Sequence, residues 1–200
     1  MELSPQKQRT RRAILDAAAG EWAQDPAVSL GSIAAAAGVG RATVHRYFPD
    51  REHLRSALTS DSWAALHAAI VQAAPGSGSV LEVIDRIVSA MVHVGDRALF
   101  LFASTGEEPS RADASIAGAV DEILVAEIRR GQQGGELDST VPALWIQRMV
   151  WSIVYTGLHA AGDGLVARHG VDDLIRWTLR GAISARDERG VGAGSAPTGR

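Results

Sequence analysis

Between residues 41 and 47 the chain reads Arg-Ala-Thr-Val-His-Arg-Tyr. Two guanidiniums, an imidazole, a hydroxyl and a phenol surround a single valine. Wound as a helix, Val44 turns inward and Arg41, Ala42, Thr43, Arg46 and Tyr47 are left on the outer face. These are hydrogen-bond donors and small apolar groups. Arg41 suits a bidentate contact to guanine, and Ala42 and the Thr43 methyl suit a thymine methyl. Arg46 and Tyr47, near the end of the helix, can reach phosphates.

Such a face is useful only if something holds it out. Residues 29–51 read as two short helices broken at Gly38, where glycine supplies a left-handed turn. Ile33, Ala34, Ala37, Val39, Val44 and Phe48 fall at spacings that lock the two helices together. That is the build of a helix-turn-helix, whose second helix enters the major groove of DNA. Ser29 and Gly40, at the heads of the two helices, His45 within the second, and Arg51 at the start of the next helix complete the residues read as facing DNA. At Arg51 the helix dipole also favours a phosphate.

Two hundred residues, 46% of them hydrophobic, give ample core for a globular protein. The formal net charge is −3, but residues 1–60 carry eight Lys/Arg against six Asp/Glu, and the remainder twelve against seventeen. Local patches, not the total, govern attraction to nucleic acid. Lys7, Arg9, Arg11 and Arg12 are placed to track the DNA backbone or enter the minor groove. The absence of cysteine removes disulfides, thiolate metal sites and thiol nucleophiles. The polar, basic N-terminus is unlike a signal peptide, and no apolar run reaches membrane-spanning length, so the cytoplasm is the expected address. There is no Gly-x-Ser-x-Gly, P-loop or His-Glu-x-x-His motif, and the six histidines have no metal-ligand spacing. No enzyme, cofactor or metal site is expected.

Ala-rich, strand-poor composition predicts an all-α protein of about nine helices. These fall near residues 5–24, 29–37, 41–47, 51–73, 80–94, 96–104, 113–130, 141–161 and 171–186. The breaks are Asp25-Pro26, Gly38, Pro49-Asp50, the Pro75–Ser79 run, Glu107–Ser110, Gly131, Gly134–Thr140 and Gly162-Asp-Gly164. The expected division is a three-helix DNA-binding domain over 1–50, a larger helical domain over 51–186, and a disordered Gly/Ser/Pro-rich tail over 187–200.

The Ile33-Ala…Ala-Gly38-Val…Thr43-Val…Tyr47-Phe…Leu54 skeleton makes residues 10–55 similar to the N-terminal domain of the TetR family of bacterial transcriptional regulators. The family usually has Tyr at the position of His45, Lys at Arg51 and Ser at Gly40. His45 can still donate to phosphate, with some pH dependence, whereas Gly40 forgoes a capping oxygen. The resemblance implies a homodimer on a palindromic operator, with half-sites about 34–36 Å or a multiple apart. It implies repression, and pairing of the eighth and ninth helices with their copies. The eighth helix is apolar nearly all round (Leu144, Trp145, Ile146, Met149, Val150, Trp151, Ile153, Val154, Tyr155, Leu158), which requires cover on every side. The ninth adds Leu174, Ile175, Leu179 and Ile183.

The resemblance also implies a small-molecule pocket among the fourth to eighth helices. Its candidate lining is Trp63, His67, Met91, Phe100, Phe102, Trp145, Met149, Tyr155 and His159. Aromatics with a few polar atoms suit an apolar or aromatic effector. Acids are sparse near them in the chain, which disfavours a strongly cationic one unless Glu82, Asp85, Asp96 or Asp121 folds inward. Binding would displace the fourth helix and change the spacing of the reading heads, by a shift of population. The other reading is a helix-turn-helix regulator without a small-molecule ligand, controlled by a protein partner.

Overall fold

The computed structural model describes residues 4–103 and 110–184. Among them are nine α-helices and one 3₁₀ turn: α1 (Pro5–Gln24), α2 (Leu30–Ala36), α3 (Arg41–Tyr47), α4 (Arg51–Gln72), α5 (Val80–Val94), α6 (Asp96–Ala103), α7 (Arg111–Gln133), α8 (Ala143–Gly162), the turn at Arg168–Gly170, and α9 (Val171–Ile183). The only strand-like feature among them is an isolated bridge between Leu137 and Ser184. The expected tail over 187–200 and most of the Glu107–Ser110 loop lie outside the described residues.

Side chains cap the starts of α2, α4, α5 and α7. Ser29 Oγ accepts the Ser32 N–H at 3.2 Å, opening α2. Asp50 accepts the His53 N–H at 2.9 Å, opening α4. That backbone hydrogen bond, and the His53 ring beside it, hold the Asp50 carboxyl below its ordinary range. The cap is therefore present above the usual carboxylate pKa and is lost as pH falls through the lowered one. Ser79 and Glu82 form a reciprocal capping box on α5. Gly38 takes a φ of +66° with nothing within 4 Å of where a Cβ would sit, so conformation rather than space calls for glycine in the helix-turn-helix.

Helix α7 departs from its expected bounds of 113–130. It begins two residues earlier and runs through Gly131 to Gln133. Gly131 reads as a stop in the sequence, but its role is packing: a Cβ there would meet Leu137 Cγ and Val80 Cγ1 at 2.8 Å.

Buried side chains form two cores. One gathers Ile14, Leu15, Ala18, Ala19 and Trp22 of α1, Ile33 and Ala34 of α2, Val44 and Phe48 around α3, Leu54 and Leu58 of α4, and Phe100 of α6. We call this unit the head. The other runs from Leu66 and Ile70 of α4 through α5, α7, α8 and α9, and forms the body. Helix α4 passes from one core to the other between Leu58 and Leu66. Helix α6 serves both, with Phe100 in the head and Ala98 and Leu99 in the body.

Candidate DNA-reading head and ligand cavity

On α3, Val44 is fully buried while Arg41, Ala42, His45 and Arg46 are exposed and Thr43 and Tyr47 are half-buried. The Arg46 guanidinium lies 5.7 Å over the Tyr47 ring, and Arg11 lies 5.6 Å over Phe48. Gly40 caps α3 without a side-chain hydrogen bond. His45 Nδ1 sits 3.0 Å from the Pro49 carbonyl oxygen. A carbonyl only accepts, so Nδ1 donates. A neutral His45 then presents an accepting Nε2, and only the imidazolium has a proton left for a phosphate.

Arg51 is differently placed from a free phosphate ligand. Its Nη1 donates to the Val28 carbonyl at 2.6 Å and its Nη2 to the Pro26 carbonyl, while the guanidinium lies 4.9 Å over the Trp22 ring. Trp22 Nε1 donates to the same Val28 oxygen at 3.1 Å. The side chain thus holds the α1–α2 loop that sets the start of α2. Arg51→Ala is expected to lower both operator affinity and melting temperature while leaving the salt dependence of binding unchanged. A lost phosphate contact would instead reduce the slope of log affinity against log salt by about 0.9. Arg51→Lys is expected to rescue little, because one ammonium cannot reproduce the planar fork and the stacking. Fluorescence anisotropy at several salt concentrations separates these outcomes.

Head and body are joined by more than α4. Trp22 stacks on Phe100 with ring centroids 6.2 Å apart, and Arg55 packs over both rings. Arg97 of α6 pairs with Asp16 of α1 and, at 2.9 Å, with Asp61 of α4. Arg12 joins the same two carboxylates at 3.1 and 3.2 Å.

In the body, a cavity of about 250 Å³ lies between α4, α6, α7 and α8, lined by Trp63, Leu66, Ala98, Leu101, Phe102, Asp121, Gln147 and Trp151. Phe102 meets Trp151 edge-on at 5.6 Å and Tyr155 at 5.3 Å. Asp121 stands exposed at the mouth, where its Oδ1 accepts from Gln147 Nε2 at 2.6 Å and from Trp151 Nε1 at 3.2 Å. Gln147 is itself buried.

Of the residues expected to line a pocket, Trp63 and Phe102 line this cavity, and Tyr155 lines an open groove beside it with Phe102 and Trp151. Phe100 faces the head core, and Met91 is buried in the body core. Met149 packs against that core, His67 is half-buried on α4, and Tyr155 stands outside Phe102. His159 sits on the surface beside Asp163 at 3.0 Å, and Trp145 is 65% exposed. The sequence reading left out Leu66, Ala98, Leu101, Gln147 and Trp151 as lining. A glutamine within the otherwise apolar α8 was the available signal for Gln147, and Asp121 was among the acids able to fold inward.

Trp145 shares the outer surface of α8 and α9 with Leu144, Leu174 and Trp177, which are 58%, 42% and 76% exposed. Among the described residues no group of three or more acids and histidines is placed to hold a metal. None of the described helices is long and apolar enough to cross a membrane.

A short recognition helix carried by a small head, set on a larger helical body with its own cavity, defines a helix-turn-helix regulator. Residues 14–58 match the family model for bacterial regulatory proteins of the tetR family. The HTH-type transcriptional repressor LfrR of Mycolicibacterium smegmatis is 39% identical over 181 residues, which span 88% of this chain and 92% of the relative. The crystal structure of the TetR-like regulator LfrR from Mycobacterium smegmatis in complex with proflavine matches 86% of this chain and 94% of its own, at a TM-score of 0.67. A ketosteroid transcriptional regulator of Mycobacterium tuberculosis, only 14% identical, shares the fold at a TM-score of 0.72 over 92% of this chain and 98% of its own. The chain belongs to the TetR family, whose members are transcriptional regulators, and it is not an enzyme.

Proposed function

We propose that this protein is a dimeric repressor that leaves its operator when a flat, cationic aromatic molecule enters the body cavity. Its place of work is the bacterial cytoplasm, with the DNA. In this reading Arg41 contacts a guanine, Ala42 and Thr43 meet thymine methyls, and Arg46, Tyr47, Ser29 and the backbone at Gly40 hold phosphates. His45 adds a phosphate contact when protonated, and Arg51 acts through the loop it holds. The dimer forms through the apolar surface of α8 and α9.

The observation that carries the ligand class is Asp121. Its carboxylate is aimed by Gln147 and Trp151 at the mouth of a cavity walled by Trp63, Phe102 and Trp151. Aromatic faces bind flat rings and cations alike, and a fixed carboxylate adds preference for the cation. Proflavine, a flat tricycle that readily takes a proton, is bound by a relative of 39% identity, so it is the natural first probe.

Because flat cations also intercalate into DNA, binding is best read on the protein alone, by quenching of tryptophan fluorescence. Proflavine is expected to saturate a site, and Asp121→Asn to weaken it about tenfold. That lies at the low end for a charge-assisted contact, since the carboxylate is exposed. Unchanged affinity in Asp121→Asn would remove the carboxylate from the argument.

Operator binding is tested by anisotropy on DNA tiled across the region beside the protein's own gene. A tight, salt-sensitive complex on one palindromic tile is expected. If no compound that saturates the cavity weakens that complex, control by a protein partner becomes the better reading.

A further inference from the structure

A second cleft, of about 200 Å³, lies where the end of α1 meets the α5–α6 turn, the end of α8 and the 3₁₀ turn before α9. It shares no lining residue with the aromatic cavity. Its floor is apolar and buried, made by Leu99, Leu158 and Val171. Asp96, Arg168 and Gln24 are the polar groups around it.

Several acids of this molecule are held by arginines. Asp16 and Asp61 are paired with Arg97, Asp85 with Arg180, and Asp172 with Arg176. Among the described residues Asp96 and Arg168 have no ion pair or hydrogen bond, although they line one cleft. Gly162 lines the cleft, and Gly20 of α1 lies beside Asp96. A Cβ on Gly162 would stand 3.1 Å from Gln24 Nε2, and one on Gly20 would stand 3.5 Å from Asp96 Oδ2. The missing side chain at Gly162 lets the Gln24 amide lie close against the end of α8, and the Asp96 carboxylate stands at ordinary contact distance from α1.

A negative and a positive group, both unpaired and set over a greasy floor, complement a small molecule that carries both charges on an aliphatic body. We propose that the cleft is a second ligand site, for a short aliphatic zwitterion. Its ammonium meets Asp96, its carboxylate meets Arg168, and its hydrocarbon part covers Leu99, Leu158 and Val171. At about 30 Å³ per water the volume equals roughly seven waters, which suits a ligand of amino-acid size. Gln24 ends the helix that carries Trp22 of the head, whereas the other lining residues belong to the body. An occupant therefore touches both units, and its affinity depends on how they are oriented.

Isothermal titration calorimetry on the full-length protein tests this with two zwitterions of different charge separation, L-valine and 5-aminopentanoate. L-valinamide and 3-methylbutanoate each carry one of the two charges and serve as controls. At least one zwitterion is expected to saturate one site per chain, with the single-charge analogues about tenfold weaker or more. Asp96→Asn and Arg168→Gln, both at exposed positions, should each weaken the zwitterion about tenfold and leave proflavine binding unchanged. The proposal is overturned if neither zwitterion gives saturable heat up to its solubility limit. It is equally overturned if the single-charge analogues bind as well, or if both variants keep full affinity.

Discussion

Trp22→Ala is expected to cost about 3–5 kcal/mol of stability, the usual range for emptying a buried tryptophan site. In a chain of this length that lowers the melting temperature by roughly 6–20 °C, and operator binding should disappear. The size of the effect follows from how many elements the one ring holds. Trp22 is fully buried, stacks on Phe100 of α6, lies beneath Arg51 and Arg55 of α4, and donates to the Val28 carbonyl of the α1–α2 loop. Its loss opens a void under the recognition unit and removes the partner of Phe100 in the same step. Trp22→Phe keeps the stacking and gives up the indole hydrogen bond, so it should recover most of the stability, less about 1 kcal/mol. Calorimetric melting reads both variants. A shift of less than about 2 °C in Trp22→Ala would mean that the head is not organised around this ring.

The second large effect is expected on the outer face of α8 and α9. Trp145→Asp combined with Trp177→Asp should convert the protein to a monomer by sedimentation velocity and lower operator affinity at least about a hundredfold. Buried tryptophans are frequent hot spots of association, each worth about 2 kcal/mol or more when truncated, and a carboxylate in their place adds desolvation without a partner. Both indoles are largely exposed in the single chain. Circular dichroism should therefore show unchanged helix content, which separates loss of the dimer from loss of the fold. A variant that stays dimeric and keeps its operator would place the subunit contact elsewhere.

The head was nearly legible in the sequence because its determinants are local. Ser29 caps α2 from three residues away, Gly38 turns the chain between the two helices, and Ile33, Val44 and Phe48 meet within a few turns. Arg51 shows where local reading stopped. Its place at a helix start pointed to a phosphate, whereas its donors go to carbonyls 23 and 25 residues earlier. In the body the decisive contacts are longer still. Asp121 meets Gln147 and Trp151 across 26 and 30 residues, so the sequence offers it as one of several acids able to fold inward without showing which one reaches the cavity. Gly131 looked like punctuation because a sequence does not show that Val80 and Leu137 will press on the same spot.

Two phenylalanines on α6 stand two residues apart and belong to different neighbourhoods, Phe100 to the head core and Phe102 to the aromatic cavity. The cavity wall therefore has two unequal halves as material for selection. Asp121, Gln147 and Trp151, on α7 and α8, can drift toward new effectors while the reading head keeps its shape. Changes along α4 and α6, which reach both cores, carry both properties at once. Libraries built to turn this protein into a sensor for another compound should vary the first half and leave the second alone.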